Sequence, residues 1–89
     1  MSMKHESHDD VVKRLKRSEG HLRKTIRMIE EGRACTDLAQ QLHAVQKAIE
    51  QAKKLLIHDH IDHCLSDTVN GQGDSKALIA EFREISKYL

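Results

Sequence analysis

The stretch Leu38-Ala39-Gln40-Gln41-Leu42-His43-Ala44-Val45-Gln46-Lys47-Ala48-Ile49-Glu50-Gln51-Ala52-Lys53-Lys54-Leu55-Leu56 decides the architecture. Its residues Leu38, Leu42, Val45, Ile49, Ala52 and Leu56 follow one another in alternating steps of four and three. That is a heptad seam, the pattern of a helix packed lengthwise against other helices. The spacing predicts one long helix from Cys35 or Thr36 to Val69. Upstream, Val11, Leu15, Leu22, Ile26 and Ile29, with Ser18 in the missing step, predict a first helix from Asp9 or Asp10 to Glu31. An aspartate there serves as N-cap, and Gly32 serves as the C-terminal stop. Downstream, Asn70-Gly71-Gln72-Gly73-Asp74 is the clearest break in the chain. Leu78, Ile79, Phe82, Ile85 and Leu89 then mark a shorter third helix from Ser75 onward. No alternating strand pattern is present. The reading is all-α, a three-helix protomer in one domain over residues 1–89, with residues 1–8 as a flexible N-terminal arm.

Two long helices joined by a short turn make an antiparallel hairpin with an apolar stripe to cover. A chain of 89 residues buries too little surface for an ample core of its own. Pairing two hairpins into a four-helix bundle buries both stripes. The expected assembly is therefore a homodimer with two-fold symmetry, its axis near Ala48 and Ile49.

The long helix carries the chemistry at its ends. His60 and Cys64 are four apart and stack on one helix face. Cys35 is 25 residues upstream of His60, roughly 37 Å along a straight helix. One chain cannot bring all three together. Two antiparallel copies can, with Cys35 of one meeting His60 and Cys64 of the other, once at each end of the dimer. Two thiolates and an imidazole suit Cu(I) best, while zinc or Ni(II) would take a fourth ligand. His5 and His8 in the N-terminal arm are candidates for that extra ligand. Two cysteines so far apart read as ligands or sensors in a reducing cytoplasm rather than as a disulfide.

The net charge of +1 hides an asymmetry. Residues 1–54 hold twelve Lys/Arg against eight Asp/Glu, and residues 55–89 hold three against six. Basic residues stud the first helix, a distribution compatible with nucleic acid. Without interleaved aromatics, base stacking on single strands is not expected, and contact would rest on duplex phosphates. No run is apolar enough to cross a membrane, and residues 1–10 lack a signal-peptide core. No nucleophile–base arrangement or phosphate-cradling loop appears, so no enzyme is expected.

Four stretches carry a resemblance to a known family: Arg14-Leu15-Lys16-Arg17-Ser18-Glu19-Gly20-His21-Leu22-Arg23, Met28-Ile29-Glu30-Glu31, Ala44-Val45-Gln46-Lys47-Ala48-Ile49 and Asp59-His60-Ile61-Asp62-His63-Cys64. With them the chain resembles the CsoR/RcnR/FrmR family of bacterial metal- and formaldehyde-responsive repressors. The resemblance implies a dimer-of-dimers tetramer that binds double-stranded operator DNA and leaves it when the inducer binds. It implies Arg14, Arg17, Lys53 and Lys54 as DNA contacts, and Glu81 as a hydrogen-bond partner of the metal ligands. A Cys, His, Cys set at Cys35, His60 and Cys64 is similar to the copper sensors. Related branches sense Ni(II) or Co(II), formaldehyde or persulfide, and these remain open on the same scaffold. A cytosolic metal-buffering helical protein is the alternative of another class.

Overall fold

The computed structural model describes residues 6–69, 71 and 75–89. They form α1 (Glu6–Glu30), α2 (Cys35–Val69) and α3 (Ser75–Ser86). The helix expected from Cys35 to Val69 has those bounds. α1 begins at Glu6, earlier than the Asp9 or Asp10 start read from capping preference. Acidic Asp9 and Asp10 suit the positive end of a helix anywhere in the first turns. The arm expected over residues 1–8 is therefore helical from Glu6, and His8 belongs to α1. His5 and most of the Asn70–Asp74 break lie outside the described residues.

Between α1 and α2 the chain turns in four residues. Gly32 has a φ of 74°, a left-handed conformation that glycine adopts without a Cβ penalty. Its N–H donates to Ile29 O, and the Arg33 N–H donates to Met28 O. This paired closure satisfies carbonyls that the end of α1 would otherwise leave bare. The chain reverses, and α2 returns along α1. α3 then folds back on the second half of α2 and, among the described residues, packs on α2 alone.

The hairpin is long and thin, 57 × 23 × 17 Å. Its radius of gyration is 17.7 Å, against roughly 12 Å for a compact globule of this length. The inner seam is narrow. α1 buries Val11, Ser18, Thr25 and Met28, while α2 buries Val45, Ala52, Ile57 and Cys64. Thr25 is wholly buried, and its hydroxyl donates to His21 O one turn back, so it brings no unmet polar demand. The small Ser18 and Thr25 let the two helices approach closely.

The apolar positions of α1 divide between two faces. Ser18 and Val11 face α2, but Leu15, Leu22, Ile26 and Ile29 are left exposed, as are Leu42, Ile49 and Leu56 of α2. The inner seam fixes how each helix is rotated. By helical phase, the exposed aliphatic residues of both helices then fall on one side of the hairpin. So broad an apolar strip on so slender a chain marks a surface that another molecule covers. Among the described residues, no helix is long and apolar enough to cross a membrane.

Candidate metal centre

α2 supplies His60 and Cys64 one turn apart. The reversal after Val69 brings α3 alongside and delivers Glu81. Cys64 Sγ lies 3.4 Å from His60 Nε2, and Glu81 Oε1 lies 2.8 Å from that same nitrogen. One donor atom from each residue falls within 4.8 Å of the others, and this is the group of three metal-binding side chains found among the described residues.

Burial differs across the trio. Cys64 is 9% exposed, the His60 side chain 24% and the Glu81 side chain 53%. Cys64 also lines a cavity of about 240 Å³ with Leu65, Leu78, Ile79 and Phe82. The thiol therefore faces hydrocarbon on one side and the imidazole on the other. His60 Nε2 faces both the carboxylate and the thiol, and a single N–H can be given fully to only one of them. A cation in the proton's place would satisfy sulfur and nitrogen together. Thiolate, imidazole and carboxylate form a mixed donor set that fits a soft or borderline metal ion.

Cys35 is the first residue of α2 and is exposed. It lies at the opposite end of the hairpin from His60 and Cys64, and the protomer does not bring the three together. Of the other ligand-type residues, His63 is paired with Asp59 at 3.7 Å, about half exposed and outside the trio. His8 is half-buried in the first turns of α1.

The basic candidates occupy two places. Arg14 and Arg17 line a cavity of about 180 Å³ between α1 and α2 with Ser18, His21, Ala48 and Gln51. Arg14 Nε also meets Asp10 Oδ2 at 3.2 Å. Lys53 and Lys54 line a separate groove with Gln46, Ile49, Glu50 and Leu89. Within it, Glu50 contacts Lys54 at 3.4 Å and Lys47 at 3.8 Å. The Lys47 charge, then the hydrogen bond from Lys54, holds the Glu50 carboxyl below the usual carboxylate range. The sequence reading passed over Glu50, although Lys47, Glu50 and Lys54 are spaced by three and four, the signal of a shared face. It also passed over the contact of His21 Nε2 with Gln41 Oε1 at 2.6 Å, which joins α1 to α2 and has no local sequence signal.

Residues 7–88 match the family described as metal-sensitive transcriptional repressor. The chain is 37% identical over 79 residues to the copper-sensing transcriptional repressor CsoR of Bacillus subtilis (strain 168), covering 89% of this chain and 77% of that protein. It is 38% identical over 90 residues to the protein of the same name from Mycobacterium ulcerans (strain Agy99), covering 97% and 75%. Among solved structures, the nickel-responsive transcriptional regulator InrS superposes with a TM-score of 0.84 at 30% identity over 100% of both chains. The copper-sensing repressor CsoR with Cu(I) from Geobacillus thermodenitrificans NG80-2 gives 0.72 at 28% identity, over 97% of this chain and 93% of that one.

Proposed function

The chain belongs to the family of metal-sensitive transcriptional repressors, and from that premise we propose that it is a Cu(I)-responsive repressor whose sensing site forms between two subunits. The observation that carries this reading is the arrangement along α2. His60 and Cys64 are already assembled with Glu81 at one end, and Cys35 stands exposed at the other. Antiparallel pairing of two hairpins through Leu15, Leu22, Ile26, Ile29, Leu42, Ile49 and Leu56 covers the exposed apolar side. It also carries Cys35 of one subunit to His60 and Cys64 of the partner subunit, twice per dimer. Two such dimers form the tetramer that the family resemblance implies. Members of this family are repressors rather than enzymes.

Each residue has a distinct task. Cys64 presents sulfur from an apolar wall, and His60 presents nitrogen one turn away. Glu81 accepts a hydrogen bond from the imidazole and holds the ring in its orientation. Cys35 supplies the second sulfur. Cys35, His60 and Cys64 would together hold Cu(I), which would supply a soft cation suited to two thiolates and an imidazole. Arg14, Arg17, Lys53 and Lys54 contact phosphates of a double-stranded operator in the cytoplasm. Closing the two ends of the bundle shifts the relative positions of these basic residues. Release then requires only that the ion bind the DNA-incompetent arrangement better, by a coupling of about 1–3 kcal/mol or more.

Nickel is the second reading, favoured by the superposition with a nickel-responsive regulator. A fourth donor from His5 or His8 would then complete the ligand set. The test is anaerobic fluorescence anisotropy of the reduced protein on a duplex from its own promoter, titrated with Cu(I) and, separately, with Ni(II). Release at one Cu(I) per subunit is expected. Release by Ni(II) alone would replace copper with nickel, and DNA binding indifferent to both would remove the metal site from the function.

A further inference from the structure

The solvent-facing side of α2 holds a small ionic cluster that the metal centre does not use. Glu50 sits among Lys47, Lys53 and Lys54. One of its carboxylate oxygens faces Lys47 Nζ at 3.8 Å and the other faces Lys54 Nζ at 3.4 Å. One oxygen accepts from Lys54, and the other lies in the field of Lys47. Lys47 is three residues before Glu50 and Lys54 four after, so all three side chains share one helix face. Among the described residues, Glu50 is the one acidic side chain lining the groove that contains Lys53 and Lys54. The Lys47 charge, then the hydrogen bond from Lys54, holds its carboxyl below the ordinary range.

A DNA phosphate offers lysine the same partner that Glu50 offers, an anionic oxygen accepting from Nζ. The two therefore compete for the same ammonium groups. A lysine that gives up a carboxylate to take a phosphate releases fewer counterions than a bare one, and gains less from the exchange. We propose that Glu50 is an internal counter-anion of the DNA-contacting face, occupying Lys47 and Lys54 in the free repressor until a backbone phosphate displaces it. This rests on the reading above that Lys53 and Lys54 face DNA, and it adds Lys47 to that face.

The device has a use in a releasable repressor. Sequence-blind phosphate attraction adds to every binding site alike, operator or not. An inducer typically changes affinity by about 5–150-fold. A repressor whose electrostatic grip far exceeds that range stays on DNA with its inducer bound. Glu50 trims that sequence-blind grip.

The experiment uses the full-length reduced protein and two labelled duplexes, one of mixed sequence and one from its own promoter, across a salt series. Glu50→Gln keeps the side chain's shape and removes its charge, and Glu50→Ala is a second variant should the first fail to fold. Tighter binding to both duplexes is expected, by about three- to tenfold at low salt. The plot of log affinity against log salt steepens by about 0.9 for each subunit engaged. In a Lys47→Gln/Lys54→Gln background the gain disappears. Unchanged affinity and slope in Glu50→Gln would overturn the inference, as would weaker binding, which would mean that Glu50 only positions the lysines. A gain that persists without Lys47 and Lys54 would overturn it too, since the effect would then be one of net charge alone. Lys54→Gln and Arg14→Ala/Arg17→Ala keep the two claims separable. If they weaken binding while Glu50→Gln does nothing, the DNA face stands and the counter-anion falls. If none of them weakens binding, the DNA face falls and takes the counter-anion with it.

Discussion

At the C-terminal half of α2 a thiol, an imidazole and a carboxylate are already within hydrogen-bonding reach, and the sulfur is buried. At its N-terminus, the other cysteine is exposed on the first residue of the helix. The difference follows from what covers each end. α3 folds back on the half of α2 that holds His60 and Cys64, whereas Cys35 follows directly on the tight turn at Gly32 and is exposed. One half of the proposed site is thus organised within the protomer, and the other half awaits a second copy. A sensor built this way reads its ion and its own assembly in the same event.

The largest effect should come from a residue at neither end. Ile49 is exposed on the apolar side, near the expected two-fold axis. Ile49→Asp would place a charge in the dimer seam and is expected to yield monomers in sedimentation experiments, with Cu(I) affinity and DNA binding lost together. If the monomeric variant still bound Cu(I) as tightly as the parent, both ends would belong to separate sites and the shared centre would be excluded.

Cys35→Ala and Cys64→Ala sharpen the comparison. Despite their different surroundings, both should leave DNA binding intact and abolish release by Cu(I). The loss in Cu(I) affinity should exceed the roughly 10–100-fold that follows removal of an outer hydrogen-bond partner. A competition titration against a chromophoric Cu(I) chelator measures it, and a response retained in Cys35→Ala would leave the preassembled end acting alone.

Glu81→Gln should fall in that smaller range, about 10–100-fold in metal affinity, because it loosens the imidazole without removing a thiolate. A loss as large as that of Cys64→Ala would make Glu81 a ligand in its own right. The smallest effect is expected at the turn. Gly32→Ala forces a side chain into a left-handed backbone conformation, at a cost of roughly 1–2 kcal/mol. A thermal melt should show it, with metal stoichiometry unchanged.

Much of this comparison was legible in the chain itself. The heptad seam and the glycine-rich break delimit α2, and the i,i+4 spacing of His60 and Cys64 reports their shared face. The separation of Cys35 from that pair along one helix is enough to rule out a one-chain site. The part played by Glu81 came only from family resemblance, because periodicity does not say how α3 is rotated over α2. Which residues of α1 meet α2 is not legible for a related reason. Periodicity marks an apolar arc, but Leu15 and Leu22 lie on the part of it turned away from α2, while Ser18 and Thr25 meet the neighbour. An arc that serves two partners looks like one stripe in a sequence. The Lys47–Glu50–Lys54 cluster was legible in its spacing, but basic residues read as a net surplus conceal the acid among them.

α2 is also a ruler. In the antiparallel dimer, pairing Cys35 with His60 and Cys64 of the partner subunit depends on residue positions summed across the axis. Both copies carry any insertion, so the sum shifts equally on the two sides. An extra heptad between Ile49 and Leu56 would carry the axis with it and return the seam to within about 20° of its old phase. An extra one or two residues would rotate Cys64 by about 100° or 200°, away from the seam, and part the donors. The sensing distance of this scaffold is therefore quantised: it can grow or shrink over evolution by whole heptads, while the chemistry at the two ends stays in step.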